Sequence, residues 1–371
     1  MLDLHGQYLK IKDEVDSAMQ QVIDSTSFIR GEDVQKFQDE LSAYLGVKYT
    51  IACGNGTDAL QVAMMALELQ PGDEVITTPF TFIATVEVIR LLGLKPVFVD
   101  VRPDTFNLDP EQLEQAVTER TRAIVPVHLF GQCADMDSVM DFARINGLYV
   151  IEDNAQAMGA DFLPADGSKQ KAGTIGHIGT TSFFPSKNLG AFGDGGALFT
   201  NDVSFGKRAT SLVNHGMQKR YHYDHVGVNS RLDTLQAAIL RVKLKRLDDY
   251  HRLRQEAAAW YDTTLSDIEE LQTPVRSPFS SHIFHQYTLQ VRASKRDALK
   301  HFLQEKGIPS QVYYPLPLHL QSAYNDLGYQ EGRLPVSEKL CSKVLSLPMH
   351  TEMDQIQLAY ISDHVQQFFK A

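Results

Sequence analysis

LYVIEDNAQ, residues 148–156, runs from an apolar stretch straight into two adjacent acids. The apolar part, 148–151, is short, as befits a buried strand. In an open α/β sheet, ligands bind beyond the carboxyl ends of the strands. Asp153 is therefore placed either in a binding crevice or as the cap of the next helix. Outward from here the same unit recurs. Apolar runs at 74–78, 96–99, 123–127 and 197–200 alternate with amphipathic stretches at 59–69, 84–92, 110–117 and 136–146. Strands alternating with helices predict an α/β fold, with a mostly parallel central sheet and helices on both faces.

The flanks read differently. Ile11, Val15, Ala18 and Val22 recur at helical spacing, as do Val34, Phe37, Leu41 and Leu45, with Gly46 placed as a C′ glycine. Residues 231–265 form a long helical pattern with almost no breakers, expected to link two domains. Beyond it, a strand at 286–291 and helices at 295–306 and 354–368 predict a smaller α+β unit. The expected division is 1–240 for a large ligand-binding domain and 241–371 for a small C-terminal domain. Residues 163–173, LPADGSKQKAG, suit an exposed loop.

Composition narrows the function. The 371 residues are 43% hydrophobic and 22% charged, ordinary for a globular chain large enough for two domains. A net charge of −11 argues against nucleic acid or an anionic membrane as partner. Residues 1–10 lack the basic and apolar regions of a secretory signal, and no apolar run reaches membrane-spanning length. Cys53, Cys133 and Cys341 are odd in number and far apart, which suits reduced thiols in the cytoplasm.

A second stretch carries chemistry: TTSFFPSKNLGAFGDGG, residues 180–196. A strand over 182–184 would lead to Lys187 amid apolar and glycine-rich surroundings. A lysine is ordinarily solvated, but a desolvated amine with a lowered pKa attacks carbonyls. Pyridoxal phosphate (PLP) needs a lysine for its Schiff base and an acid against its pyridine nitrogen, and Lys187 with Asp153 would supply both. CGNGTDAL, 53–60, places small residues before a helix starting near Asp58, where backbone N–H groups bind phosphate. A plain turn capped by Thr57 is the alternative. TPFTFIAT, 78–85, offers Phe82 near another strand end, as core or as a stacking partner for a flat ring.

With these pieces in order, the sequence resembles the DegT-family nucleotide-sugar aminotransferases, which are fold-type I PLP enzymes. The resemblance is carried by QYLKIKDEVD, FIRGEDV, GNGTDAL, PGDEVITTPFTFIAT, FGQCADMD, VIEDNAQAMGA, TTSFFPSKNLGAFGDGGALFTN, GVNSRLDTLQAAIL and YYPLPLHLQ, and so spans nearly the whole chain. It implies Lys187 as the Schiff-base lysine and Asp153 as the acid on the pyridine nitrogen. Gln156 would lie near the cofactor's phenolic oxygen, and Gly56, Thr57 and Ser182 would cradle its phosphate. Phe82 would stack on the ring, and Asn229 would reach the phosphate of a neighbouring subunit in a homodimer. Some members carry histidine in place of the lysine and dehydrate their substrates; Lys187 favours transamination.

Within the family the likeness is greatest to aminotransferases acting on UDP-2-acetamido-2-deoxy-3-oxo-glucuronate, an intermediate for surface polysaccharide. It implies a sugar site lined by Thr26, Phe28, Ser186, Arg231, Tyr313 and Tyr314. Tyr313 stands in place of the group's histidine, and Phe28 in place of its tyrosine. The implied reaction passes an amino group from an amino acid, expected to be L-glutamate, to the keto-sugar. A UDP- or dTDP-linked 4-keto sugar, and a non-catalytic regulator, are the alternatives. His222/His225 and His282/His285 have a spacing of three, but no acid or cysteine cluster converges on them, so no metal is expected.

Overall fold

The computed structural model describes residues 1–370. Two helices open the chain, α1 (Leu4–Ser25) and α2 (Glu32–Leu45), the second ending at Gly46 in the left-handed conformation. The main sheet then builds from β1 (Tyr49–Cys53), β2 (Glu74–Thr77), β3 (Lys95–Phe98), β4 (Thr121–Ile124) and β5 (Tyr149–Asp153). A hairpin of β6 (Asp161–Phe162) and β7 (Gln170–Lys171) intervenes before β8 (Ile178–Ser182) and β9 (Gly196–Thr200) complete it. The strand order is β1-β9-β8-β5-β4-β2-β3. Neighbours from β8 to β3 pair in parallel, whereas β9 runs antiparallel to both β8 and β1.

The alternation of side chains along these strands assembles two cores. Ile51, Val75, Ala123, Ile151 and Leu198 face one way, onto α3 (Gly56–Ala66), α4 (Ala84–Leu91) and α7 (Val203–Leu212). Their chain neighbours Ile76, Ile124 and Val150 face the other, onto Leu113 of the short helix α5 (Leu113–Ala116) and onto α6 (Met136–Asn146). Ala52, Ala197 and Phe199 share that second face with Phe37 and Leu41 of α2. Burial on both faces explains why the strands read as continuous apolar runs.

Past β9, α7 leads into a small hairpin of β10 (Met217–Lys219) and β11 (His222–Tyr223). The pattern at 231–265 is not one helix but two, α8 (Thr234–Leu244) and α9 (Leu247–Leu265). No glycine or proline breaks it. Instead, Leu244 and Leu247 both enter the cluster around Phe37, and the Arg246 amide donates to the Lys243 carbonyl in a tightened turn. Tertiary packing overrides helix propensity there. Ala257, Ala258, Tyr261 and Leu265 of α9 pack instead with a second sheet, β12 (Leu271–Gln272), β13 (Tyr287–Val291) and β14 (Val344–Leu347). Helices α10 (Ala293–Glu305), α11 (Pro335–Lys343) and α12 (Gln355–Lys370) complete the C-terminal part. None of the described helices is long and apolar enough to cross a membrane.

Two further expectations are corrected. The strand expected at 182–184 is β8, Ile178–Ser182, which ends where the expected strand begins, and Lys187 follows it in the turn beyond. The helix expected from about Asp58 begins at Gly56, because the Asn55 side chain accepts from the Asp58 amide at 2.8 Å; Asn55, not Thr57, is the cap.

Candidate active site

Asp153 ends β5, and its position follows from parallel pairing. Its amide donates to the Pro126 carbonyl, while its carbonyl accepts from the His128 amide. The carboxylate is buried, with 5% of the residue exposed. The Thr85 hydroxyl donates to Oδ2 at 2.7 Å, and the Ala155 amide donates to Oδ1 at 3.1 Å. These two donors fix where the carboxylate points. The preceding acid, Glu152, has a different task. It is wholly buried and accepts from the Gly173, Ile175 and Gly176 amides and from His128 Nε2. His128 Nδ1 accepts from the Ala134 amide, so its proton sits on Nε2 and the ring is neutral. Of these two adjacent acids, Glu152 holds the 173–176 turn and His128, while Asp153 takes Thr85 and Ala155 at the strand's carboxyl end.

Lys187 is held by its backbone. Its amide donates to the Phe184 carbonyl at 2.8 Å, and the Ala191 amide donates to the Phe183 carbonyl at 2.7 Å, closing a loop over 184–190. Burial pushes its ammonium down to about 8, and the Asp153 carboxylate pulls weakly the other way. An amine lowered this far, beside an acid, can bond to carbonyl carbon and carry protons. His285, buried on the far side, is driven well below the usual histidine range by burial and then by Lys187. Its Nδ1 meets Asn188 Oδ1 at 3.2 Å, and Asn188 in turn donates to the Ile283 carbonyl. That orientation of Asn188 makes Nδ1 the protonated nitrogen of a neutral ring.

Gly56 sits directly against Ser182. A Cβ on residue 56 would stand 2.6 Å from Ser182 Cβ, so glycine is required by close approach. The amides of Gly56 and Thr57 open α3, where N–H groups have no intrahelical acceptor. Across the crevice, Gln156 Oε1 accepts from the Phe130 amide at 2.8 Å, and its Nε2 donates to Tyr314 Oη at 3.1 Å. Tyr313 packs beside Tyr314, with ring centroids 6.0 Å apart. Ser186 is partly buried next to Lys187, and Phe82 leaves more than half of its surface exposed.

The remaining expected residues form a second group. Phe28 and Thr26 lie in the loop between α1 and α2, Thr26 with a positive φ of 52°. The Thr234 amide donates to the Phe28 carbonyl, fastening that loop to the segment carrying Asn229 and Arg231. Arg231 lines a cavity of about 200 Å³ with Arg30, Gln38, Asn214 and Ser230, and Asn229 is exposed. The two groups meet through Ser230, whose Oγ accepts from the Gly54 amide at 2.9 Å and donates to Asp58 Oδ2 at 2.6 Å. Sequence reasoning misses Thr85, Asn188 and His285 as site residues. Thr85 lies within the TPFTFIAT stretch, and the spacing of His285 from His282 points only toward metal.

The donor set fits PLP: a lysine lowered by burial, a carboxylate held by two donors, and a helix start pressed against a serine hydroxyl. His282 and His285 are buried in their own hydrogen bonds, and His222 is exposed, with His225 partly so. No group of three or more His, Cys, Asp or Glu is arranged to hold a metal among the described residues.

Comparison with known proteins agrees with this geometry. A Geobacillus stearothermophilus "pleiotropic regulatory protein" is 46% identical, covering 100% of this chain and 98% of its own. The UDP-2-acetamido-2-deoxy-3-oxo-D-glucuronate aminotransferase of Pseudomonas aeruginosa is 45% identical, with 97% of each chain covered. An Acidithiobacillus ferrooxidans enzyme named as a UDP-N-acetyl-3-dehydro-α-D-glucosamine 3-aminotransferase is 43% identical, covering 98% of this chain and 95% of its own. Among solved structures, a Brucella abortus aminotransferase superposes with a TM-score of 0.94 at 40% identity, covering 100% and 99%. The Bacillus subtilis NtdA structure, which holds pyridoxamine phosphate, superposes at 0.90 and 30% identity, covering 98% and 82%. The model of the DegT/DnrJ/EryC1/StrS aminotransferase family matches residues 9–366, and the chain belongs to this family of PLP-dependent enzymes.

Proposed function

We propose that this aminotransferase moves an amino group from L-glutamate to carbon 3 of a UDP-linked 3-oxo-N-acetylglucosamine derivative, with the 3-oxo glucuronate as substrate. The observation that carries the reading is Lys187, its ammonium pushed down to about 8 by burial, with the Asp153 carboxylate close enough to act on it at the carboxyl edge of the sheet. Two relatives at 45% and 43% identity are named for UDP-linked 3-keto sugars, one with a carboxylate on the sugar and one without. Arg231, which brings an arginine's planar fork to the cavity it lines with Arg30, favours the uronate.

When bound, PLP supplies an aldehyde that exchanges between amines and a ring that draws off electron density. The residues of the chain do the rest. Lys187 Nζ would hold the aldehyde at rest and, once freed by the donor, would carry a proton from the donor's α-carbon to the former aldehyde carbon on the other side of the nitrogen. Asp153 holds a proton on the ring nitrogen. Gly56, Thr57 and Ser182 hold the phosphate, with Asn229 from a second subunit. Gln156 holds the phenolic oxygen, and Phe82 covers the ring. Thr26, Phe28, Ser186, Tyr313 and Tyr314 enclose the sugar.

A regulatory, non-catalytic role is the second reading, since a relative at 46% identity is named as a regulator. The intact Lys187, Asp153 and Gln156 argue against it. The test is incubation of the holoenzyme with glutamate and a panel of keto-sugar nucleotides, read by mass spectrometry. The expected product gains an amine from the UDP-linked 3-oxo uronate. No bleaching of the cofactor band by any amino acid, together with no aminated sugar, would sink the enzymatic reading.

A further inference from the structure

The loop that carries Lys187 is gripped from outside by one helix. Lys243 of α8 is buried, with 2% of the residue exposed. Its Nζ donates to the Gly190 carbonyl at 2.5 Å and sits 5.6 Å from the centre of the Phe192 ring. Gln236 lies two turns earlier on the same helix face. Its Oε1 accepts from the Phe192 amide at 2.8 Å. Gly190 is itself fixed, since a Cβ there would stand 2.3 Å from the Pro185 carbonyl oxygen. The loop over 184–190 is thus closed by its own backbone and anchored at its exit by two α8 side chains.

Packing alone does not account for a lysine at position 243. A buried ammonium is unfavourable unless compensated, and an apolar side chain of similar volume would fill the space. Lys243 makes no ion pair among the described residues, in contrast to Arg241 on the same helix, which takes Asp33 and Glu40. Burial pushes the Lys243 ammonium down to about 8. Among the described residues, the one hydrogen bond of this ammonium goes to the loop of Lys187.

We propose that Lys243 is a positioning residue for Lys187: by holding the Gly190 carbonyl at the exit of the 184–190 loop, with Gln236 as second anchor, it fixes where the Lys187 amine stands. The proposal rests on Lys187 being the cofactor lysine. A displacement of an ångström at the reacting amine lowers rate far more than binding.

The test compares K243M, Q236L and the control V242A as holoenzymes. Val242 faces Ile11 and Val15 of α1, away from the loop. K243M is expected to fold and to shift the pH midpoint of the cofactor's visible band. It should also slow glutamate bleaching by roughly ten- to a hundredfold, with the KM for glutamate changed by less than about threefold. Q236L should change the same two readouts in the same direction by less. V242A should lower Tm and leave both readouts alone. A folded K243M with wild-type midpoint and bleaching rate overturns the proposal. If K243M does not fold, Q236L decides: unchanged midpoint and rate make α8 a packing element only. An unsubstituted protein with no visible cofactor band would instead sink the assignment of Lys187 itself.

Discussion

At Asp153 two donors, the Thr85 hydroxyl and the Ala155 amide, hold one carboxylate in place. The substitution Asp153→Asn keeps the shape and loses the charge. D153N is therefore expected to fold with a Tm near wild type and to lose about a hundredfold or more in glutamate bleaching, the scale of one lost preorganised charge. An unchanged rate with an unchanged cofactor spectrum would assign the task to another acid. Lys187 gives a prediction in pH. Its folded pKa, about 8, lies below the ordinary lysine value, so the fold favours the neutral amine. For a group shifted this way, the folded form is penalised while the lysine is charged in both states, below about 8. The penalty fades as pH rises through about 8 and is gone above the ordinary lysine pKa. Cofactor-free K187M should consequently melt higher than cofactor-free wild type at pH 7, with the gap narrowing toward pH 10. A gap that does not change with pH would mean that burial does not perturb this amine.

At the scale of elements, much of the site is legible in the sequence because periodicity and punctuation agree there. β5, α6 and the Gly46 cap stand where the sequence places them. Asp153 falls at a strand end because a parallel sheet buries everything before it. What stays hidden depends on contacts remote in sequence. The break between α8 and α9 has no local signal, since Leu244 and Leu247 are turned by packing against Phe37. Thr85 and Asp153 are far apart in the chain, and no pattern in either stretch announces their hydrogen bond. The segment 229–231 illustrates both cases: its motif is readable, but its attachment through Ser230 to Asp58 is not. That attachment gives Arg231 a fixed base. A lost charge-assisted hydrogen bond is worth about 1.5–3 kcal/mol, so R231A should lose roughly ten- to a hundredfold in kcat/KM on the 3-oxo uronate. A neutral 3-oxo sugar should be spared, and so should glutamate bleaching. Equal damage to both half-reactions would make Arg231 structural and return the choice of sugar to the other residues of the crevice.

Over the whole molecule, several large aromatic side chains are left on the surface. Phe28, Phe82, Phe184, Phe192, Tyr221 and Tyr223 are each at least 43% exposed, in a chain that otherwise buries most of its aromatics in apolar clusters. Aromatic residues left bare and gathered in a few segments mark surfaces that bind something. Asn229 stands exposed beside Ser230, its backbone bridged to Asn214, and its side chain is placed to serve a second chain. A homodimer in which each chain completes the other's phosphate site accounts for both features. The consequence is a mass-action link between assembly and cofactor, since a ligand held by the dimer alone stabilises the dimer. Dilution below the dimer's dissociation constant should release PLP, seen as loss of the visible band in step with the fall in sedimentation coefficient. N229A should leave the dimer intact at high concentration and still weaken PLP, by roughly tenfold or more for one lost hydrogen bond to a charged phosphate. The pairing of the two results separates the roles. Band loss on dilution with a normal N229A would mean that the interface supports the site by another residue. A monomer that keeps its cofactor band and full bleaching rate at low concentration would overturn the shared site altogether.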